Sequence, residues 1–412
     1  MTTNSHLNNF EKFDSKTIEE YLKITDELLE VEHLDLDNTE YLAKVLFCLE
    51  RHDESIEQFE RILSQKDEDC EILINIGINY FKKGDYKSSI EYFNKSLEKN
   101  QGNVTALSYK MLSHEFLNDY DSAIECGEML LKDNSKNITV IKRLIDYHFE
   151  LKNYDDCLDY INRIEYEDKY KKALILYKSG RYDECIDASG KIRTSESYRL
   201  AGKAYNKLGN TVKAVKYLYK SYEKDMNSDV LFEISDIYFE AEEYQRSIPF
   251  LKNVLIHDNL NIEAYNRIAL AYLNTANWHD AIEYAKNALE ISKKVPQAYI
   301  TLAEAYFQIE RGFEKANKVL DEGICQNPDS AELWVQKGGY SFSNDYFTFR
   351  QSYEKALSLS PNDCDIYKEY ICLLLLSEEE EMAKRYYNHM LLFNPLFEKS
   401  FMELKKAMSF MI

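Results

Sequence analysis

Apolar residues recur at steps of three and four along nearly the whole chain, in short blocks separated by polar turns. In one block Leu73, Ile76, Gly77 and Tyr80 share a helical face; in the next Tyr86, Ser89, Ile90, Phe93, Ser96 and Leu97 do. Between them stands Gly84-Asp85. Glycine permits a left-handed helix end, and aspartate accepts from the free N–H groups that open the following helix. The spacing therefore predicts a helical hairpin. A polar turn followed by an aromatic returns at Tyr120, Tyr154, Tyr182, Tyr244 and Trp278, with Thr211 in the aromatic's place once. Pro328, Pro361 and Pro395 continue the beat at steps of 33 and 34 residues. Eleven hairpins are predicted, starting near residues 36, 70, 104, 138, 166, 195, 228, 262, 296, 330 and 364.

The small residues in these blocks have a job: they let neighbouring helix backbones approach to about 8–10 Å. Gly77, Tyr80, Ser89 and Ser96 form one such set. Gly202, Tyr205, Ala214 and Ser221 form another, as do Ala269, Tyr272, Ala281 and Ala288, and then Ala303, Tyr306 and Ala316. This arrangement resembles the tetratricopeptide repeat (TPR) family. The resemblance implies an all-α solenoid: a right-handed superhelix of about eleven helical hairpins, in which helix A of each hairpin lines a concave groove. The expected organisation is a disordered N-terminus at 1–14, an N-terminal helix at 15–35, a solenoid at 36–396 and a C-terminal capping helix at 397–412. Phe397, Phe401, Leu404, Met408 and Met411 give that last helix an apolar stripe, which either docks on the last hairpin or makes a homodimer contact.

Some units depart from the pattern. Two steps between 138 and 195 are short, leaving little room for loops between hairpins. A residue is inserted near Arg311-Gly312-Phe313. The unit at 330 carries Lys337 and Phe349 where small residues are expected, and Pro249 falls inside a predicted helix B, where it should produce a kink.

Composition narrows the function. Twelve Gly and five Pro in 412 residues are too few for a β-sandwich or a flexible linker. A net charge of −21 opposes nucleic acid and anionic membranes. The start of the chain carries no leader pattern, and no run of apolar residues is long enough to span a bilayer. Eight cysteines without a CxxC pair read as reduced thiols, and a cytoplasmic location is expected. Cys157 and Cys185 stand where other units carry Ala or Ser, so they read as packing residues.

Chemical motifs fail one by one. There is no phosphate-cradling loop. His114-Glu115 begins a zinc-binding pattern, but Asn118 occupies the second ligand position. The acidic run 378–381 reads as a helix start favoured by the macrodipole. No enzyme activity, cofactor or metal is expected.

The candidate site is the groove. Beside the packed face of one helix A lie Arg199, Lys203, Asn206 and Lys207 at helical spacing. The same logic selects Lys142, Arg143, Lys171, Tyr177 and Lys178. Residues 138–224 hold 18 Lys/Arg against 13 Asp/Glu, a local excess of +5 in an acidic chain. Phe47, Phe81, Phe149, Tyr177, Phe239 and Phe307 recur on the same inner side and would add aromatic surface. The expected partner is a protein or peptide, with an acidic segment favoured. The set of Lys and Asn that clamps chaperone C-termini in some TPR adaptors is missing, so that binding mode is not expected. The expected function is a non-catalytic interaction scaffold. The alternative is a structural subunit of a larger complex or homo-oligomer, packing through its convex face and C-terminal helix.

Overall fold

A computed structural model describes residues 22–23, 25–28, 34–65, 69–310 and 313–394. The described residues are helical throughout and carry no strand; between Leu36 and Phe393 they form eleven consecutive helical hairpins, an all-α solenoid. Residues 22–23 and 25–28 of the expected N-terminal helix are helical. The expected disordered start, the insertion at 311–312, and the C-terminal capping helix with its homodimer contact lie outside the described residues.

The chain divides into two compact units, residues 1–192 and 193–412. In the first unit, hairpin 1 pairs helix A at Leu36–Cys48 with helix B at His52–Leu63. Hairpin 2 is Cys70–Lys83 with Tyr86–Lys99, hairpin 3 is Val104–Phe116 with Tyr120–Asp133, and hairpin 4 is Ile138–Glu150 with Tyr154–Arg163. Hairpin 5 is Lys169–Lys178 with Tyr182–Ile192. In the second unit, hairpin 6 is Ser195–Lys207 with Thr211–Asp225, hairpin 7 is Ser228–Glu240 with Tyr244–His257, and hairpin 8 is Ile262–Asn274 with Trp278–Ile291. Hairpins 9 to 11 are Pro296–Glu310 with Phe313–Gln326, Ala331–Ser341 with Tyr346–Leu359, and Cys364–Leu376 with Glu380–Phe393.

Local chemistry sets these boundaries. The side chains of Asp69, Asn103, Asn137, Asn227, Asn261 and Asp363 accept from N–H groups of the A helices they precede. Asp85, Asp119, Asn210 and Asp345 do the same for B helices. Each such cap contributes about 1 kcal/mol. At most A-to-B turns one residue adopts a left-handed backbone. Glycine does so at Gly84, Gly180 and Gly209, but Glu50, Asn118, Lys152, Glu242, Ala276 and Glu378 do so as well. The turn geometry is shared: Asp85 N–H donates to the Tyr80 carbonyl at 3.0 Å, as Asn277 N–H does to that of Tyr272 at 2.9 Å.

Packing follows the small residues. A Cβ added at Gly77 would sit 2.6 Å from the ring of Phe93, which is fully buried. One added at Gly202 would sit 2.7 Å from Leu218. On the facing helices Ser89, Ala123, Cys157, Cys185, Ala214, Ala281 and Ala316 are also fully buried. Cys157 behaves as a larger serine. Its Sγ lies 3.4 Å from the carbonyl of Ile145, just as Ser55 Oγ donates to the Ala43 carbonyl at 2.7 Å. Burial pushes the Cys157 thiol up to about 12 and that of Cys185 up to about 11, so neither is a thiolate near neutral pH.

Three departures resolve physically. The short period between 138 and 195 comes out of both helices and loops: Tyr154–Arg163 and Lys169–Lys178 have 10 residues each, and although residues 164–168 still connect them, only 193–194 separate Ile192 from Ser195. In hairpin 10 the close contact slips by one residue. Gly338, not Lys337, faces helix B, where an added Cβ would lie 2.7 Å from Tyr353. Lys337 instead turns outward to pair with Asp321 and lies over the Trp334 ring. Phe349 keeps the slot of a small residue and is fully buried, edge-on to Phe342, Tyr353 and Tyr370. Helix B of hairpin 7 runs on through Pro249 to His257.

Two substitutions test this account. Gly77→Ala is expected to destabilise by about 1–3 kcal/mol through overpacking against Phe93. Ala276→Gly is expected to stabilise by about 1 kcal/mol by relieving the left-handed backbone. Urea unfolding midpoints followed by circular dichroism would check both; opposite signs would refute the packing and turn assignments.

Candidate functional site

Within each unit, helix B of one hairpin packs on helix A of the next. Where hairpins touch beyond that seam, the contacts run chiefly between A helices, as in hairpins 2 and 3, 8 and 9, and 9 and 10. The A faces thus form the inner side. The candidate residues lie on A helices, and most are held by a carboxylate one hairpin away.

In the first unit Arg143 and the Tyr147 hydroxyl converge on Glu115, the hydroxyl at 2.6 Å. Lys142 pairs with Glu167 at 3.4 Å, and Lys171 pairs with Asp146 while lying 5.3 Å above the Phe149 ring. Lys178 is exposed and has no ion pair among the described residues. Three of the four cations predicted here are therefore matched one to one, and the strip is less basic than its residue count suggests.

In the second unit the balance differs. Glu233 accepts from Arg199 through both guanidinium nitrogens, at 2.8 and 3.1 Å, and from Lys203 at 2.8 Å. Burial pushes the Glu233 carboxyl upward, but the hydrogen bonds from Arg199 and Lys203 outweigh it and hold the group below its ordinary value. Asn206 donates to Glu240 at 3.4 Å, and Lys207 is exposed without an ion pair among the described residues. Further along, Arg267 bridges Asp236 and Glu263 and covers the Phe232 ring at 5.2 Å. The Tyr340 hydroxyl donates to Glu304. Hairpins 6 to 10 are thus laced by polar contacts about one repeat apart.

The recurring aromatics have a local packing role. Each is half-buried and packs on the ring that opens its own helix B: Phe47 on His52, Phe81 on Tyr86, Phe149 on Tyr154, Tyr177 on Tyr182, Phe239 on Tyr244 and Phe307 on Phe313. The centroids are 5.0–5.9 Å apart. They staple the A-to-B turn. The signal was in the sequence, as a ring pair five residues apart, stretched to six where the insertion falls.

A cleft of about 1000 Å³, missed by sequence reasoning, opens where the A helices of hairpins 9 to 11 begin. Three of its five carboxylates are engaged locally. Asp363 caps helix A of hairpin 11, Asp365 accepts from Lys368 at 2.9 Å, and Glu369 accepts from the Tyr353 hydroxyl at 2.6 Å. They read as supports of the fold. Among the described residues no helix is long and apolar enough to cross a membrane.

A tetratricopeptide repeat family profile matches residues 70–103, hairpin 2, and another matches residues 262–295, hairpin 8. The chain carries tetratricopeptide repeats. No curated protein matches it. Among solved structures it is similar to the C-terminal part of a TPR repeat-containing protein from Cytophaga hutchinsonii, at 16% identity and a TM-score of 0.39, over 55% of this chain and 95% of that one. It is also similar to Naa15/Naa10 bound to HypK-THB, at 12% identity and a TM-score of 0.46, over 91% of this chain and 66% of that one. A structure of MamA matches at 23% identity and a TM-score of 0.33, over 40% of this chain and 97% of that one.

His148, on the helix that carries Lys142 and Arg143, gives a pH test. Its ring is buried against Tyr160, neither nitrogen has a hydrogen-bond partner, and Asp156 stands 3.7 Å away. Burial lowers its pKa below the ordinary 6.5, and the carboxylate offsets this only in part. The unfolded chain then takes up the proton first, so stability is expected to fall as pH drops through 6.5. His148→Phe should lessen that fall, leaving the share of His114, which burial also lowers. Unfolding midpoints at about pH 7.5 and 5.5 would decide; equal pH dependence in both proteins would refute the buried neutral ring.

Proposed function

We propose that this TPR protein is a non-catalytic scaffold that binds a segment of another protein along its A-helix faces. Each unit offers its own candidate surface: Arg199, Lys203, Asn206 and Lys207 in the second, and Lys142, Arg143, Lys171, Tyr177 and Lys178 in the first. The observation that carries the reading is the two-to-one cluster at Glu233: two cations share one carboxylate and Lys207 stands unpaired beside them. Glu233 holds the Arg199 fork and the Lys203 ammonium in place before a ligand arrives. An acidic partner segment then meets positioned donors and loses less side-chain entropy on binding. The net charge of −21 favours a protein partner over nucleic acid or an anionic membrane.

The test is affinity capture from the native host's lysate at about 0.1 M salt, where surface charges still interact over about 10 Å. Wild type is compared with the Arg199→Glu, Lys203→Glu, Lys207→Glu triple variant. We expect a partner whose recovery falls at least about tenfold with the variant, equivalent to about 1.4 kcal/mol. Glu233→Gln, which loosens both cations from their fixed positions, should weaken the same partner. Partners recovered equally by all three proteins would refute the basic groove.

A further inference from the structure

Between the B helices of hairpins 6 and 7, on the side away from the A faces, lies a groove of about 480 Å³ lined by Val212, Val215, Lys216, Tyr219, Pro249, Phe250 and Asn253. Its floor is apolar. Tyr219 stands edge-on to Phe250 at 6.1 Å, and Phe250 stacks on Tyr238 at 5.8 Å. Its rim is solvent-facing and unusually apolar for such a position: Val212 is 74% exposed, and Ile256, one turn beyond Asn253 on the same stripe, is 78% exposed. Single exposed apolar residues are ordinary, but here they border a formed groove.

Three polar features of the groove lack internal partners. Lys216 is exposed and makes no ion pair or hydrogen bond among the described residues, and no carboxylate lines the groove. The neighbouring lysines are engaged elsewhere, Lys213 over the Tyr205 ring at 5.3 Å and Lys220 over Tyr217 at 5.0 Å. Asn253 likewise has no side-chain hydrogen bond among the described residues. Pro249 carries no N–H, so the Gln245 carbonyl loses the donor that a helix normally provides four residues on.

We infer that this groove docks an amphipathic helix of a partner protein, one that presents an apolar anchor to Tyr219 and Phe250 and a carboxylate to Lys216. The groove lies between two helices, and its rim residues recur at three- and four-residue steps, which is the relief a third helix fills by ridges into grooves. Charge complementarity selects the acidic flank. A second copy of the chain is disfavoured because each carries −21, whereas a short segment brings only a few negative charges. This site is separate from the A-face reading and does not depend on it.

A displayed library of random peptides about four helical turns long, selected on the full chain, tests the proposal. Enriched peptides are expected to combine Leu or Phe with Asp or Glu at helical spacing. By fluorescence anisotropy they should lose at least about tenfold in affinity with Val212→Glu and with Lys216→Glu. They should keep their affinity with Lys216→Arg and with the Arg199, Lys203, Lys207 triple variant. Both disruptive positions are exposed, and circular dichroism would verify their folding. Failure to enrich peptides, enrichment of basic ones, or binding indifferent to Val212→Glu and Lys216→Glu would overturn the assignment. So would a concentration-dependent dimer in sedimentation that Val212→Glu abolishes, since the groove would then belong to a second copy.

Discussion

A hairpin of about thirty residues cannot close a hydrophobic core on its own, because too much of its apolar surface faces water. Everything in this protein depends on the remedy, the seam where helix B of one hairpin meets helix A of the next. Close packing within each hairpin prepares that seam and tolerates little bulk. Gly77 has no room for a methyl group beside Phe93, nor has Gly202 beside Leu218. The helices approach closely enough for dispersion to act across the whole contact, and within each unit a hairpin completes the core of its neighbour. Stability is then a sum over neighbours, and the outer faces are left free to vary.

Hairpin 10 tests how strict that constraint is. A phenylalanine occupies a position that elsewhere holds Ser, Ala or Cys, and the hairpin still closes. It does so by moving the glycine to 338 and gathering Phe342, Tyr353 and Tyr370 round the Phe349 ring. What stays constant through the solenoid is the filled volume between helices, not a residue type at a position. The two short units obey the same rule. They shed helical residues in 154–163 and 169–178, and the loop after the second shrinks to 193–194, because the packing needs facing side chains more than it needs full-length helices.

Helix starts and the hairpin order were legible because they rest on local chemistry. Asx caps, turn residues and apolar spacing act within a few positions of one another, and the A helices begin within three residues of the expected starts. The candidate site was legible only as a set of residue types. Lys142, Arg143, Lys171, Arg199 and Lys203 do stand on the A side. Their partners Glu167, Glu115, Asp146 and Glu233 are 25 to 34 residues away in the chain. Counting charges along a segment cannot see a pairing that crosses hairpins. The aromatic staples were present in the sequence as ring pairs five or six residues apart, a spacing short enough to join the end of one helix to the start of the next.

The pairing changes what a basic strip can do. An exposed lysine adds modestly to affinity, because binding must order a long, mobile side chain. A guanidinium already forked on Glu233 has given up that freedom during folding, and its unused N–H groups keep a fixed direction. An incoming carboxylate would have to share the cations with Glu233, so selectivity would come from geometry as much as from charge. One-to-one pairs such as Lys171–Asp146 offer no such surplus and act mainly to tie neighbouring hairpins. The ratio of cations to carboxylates, read hairpin by hairpin, therefore separates charges that bind the solenoid to itself from charges left to bind something else. By that measure hairpin 6 holds a surplus on its A helix, at Lys207, and again on its B helix, at Lys216.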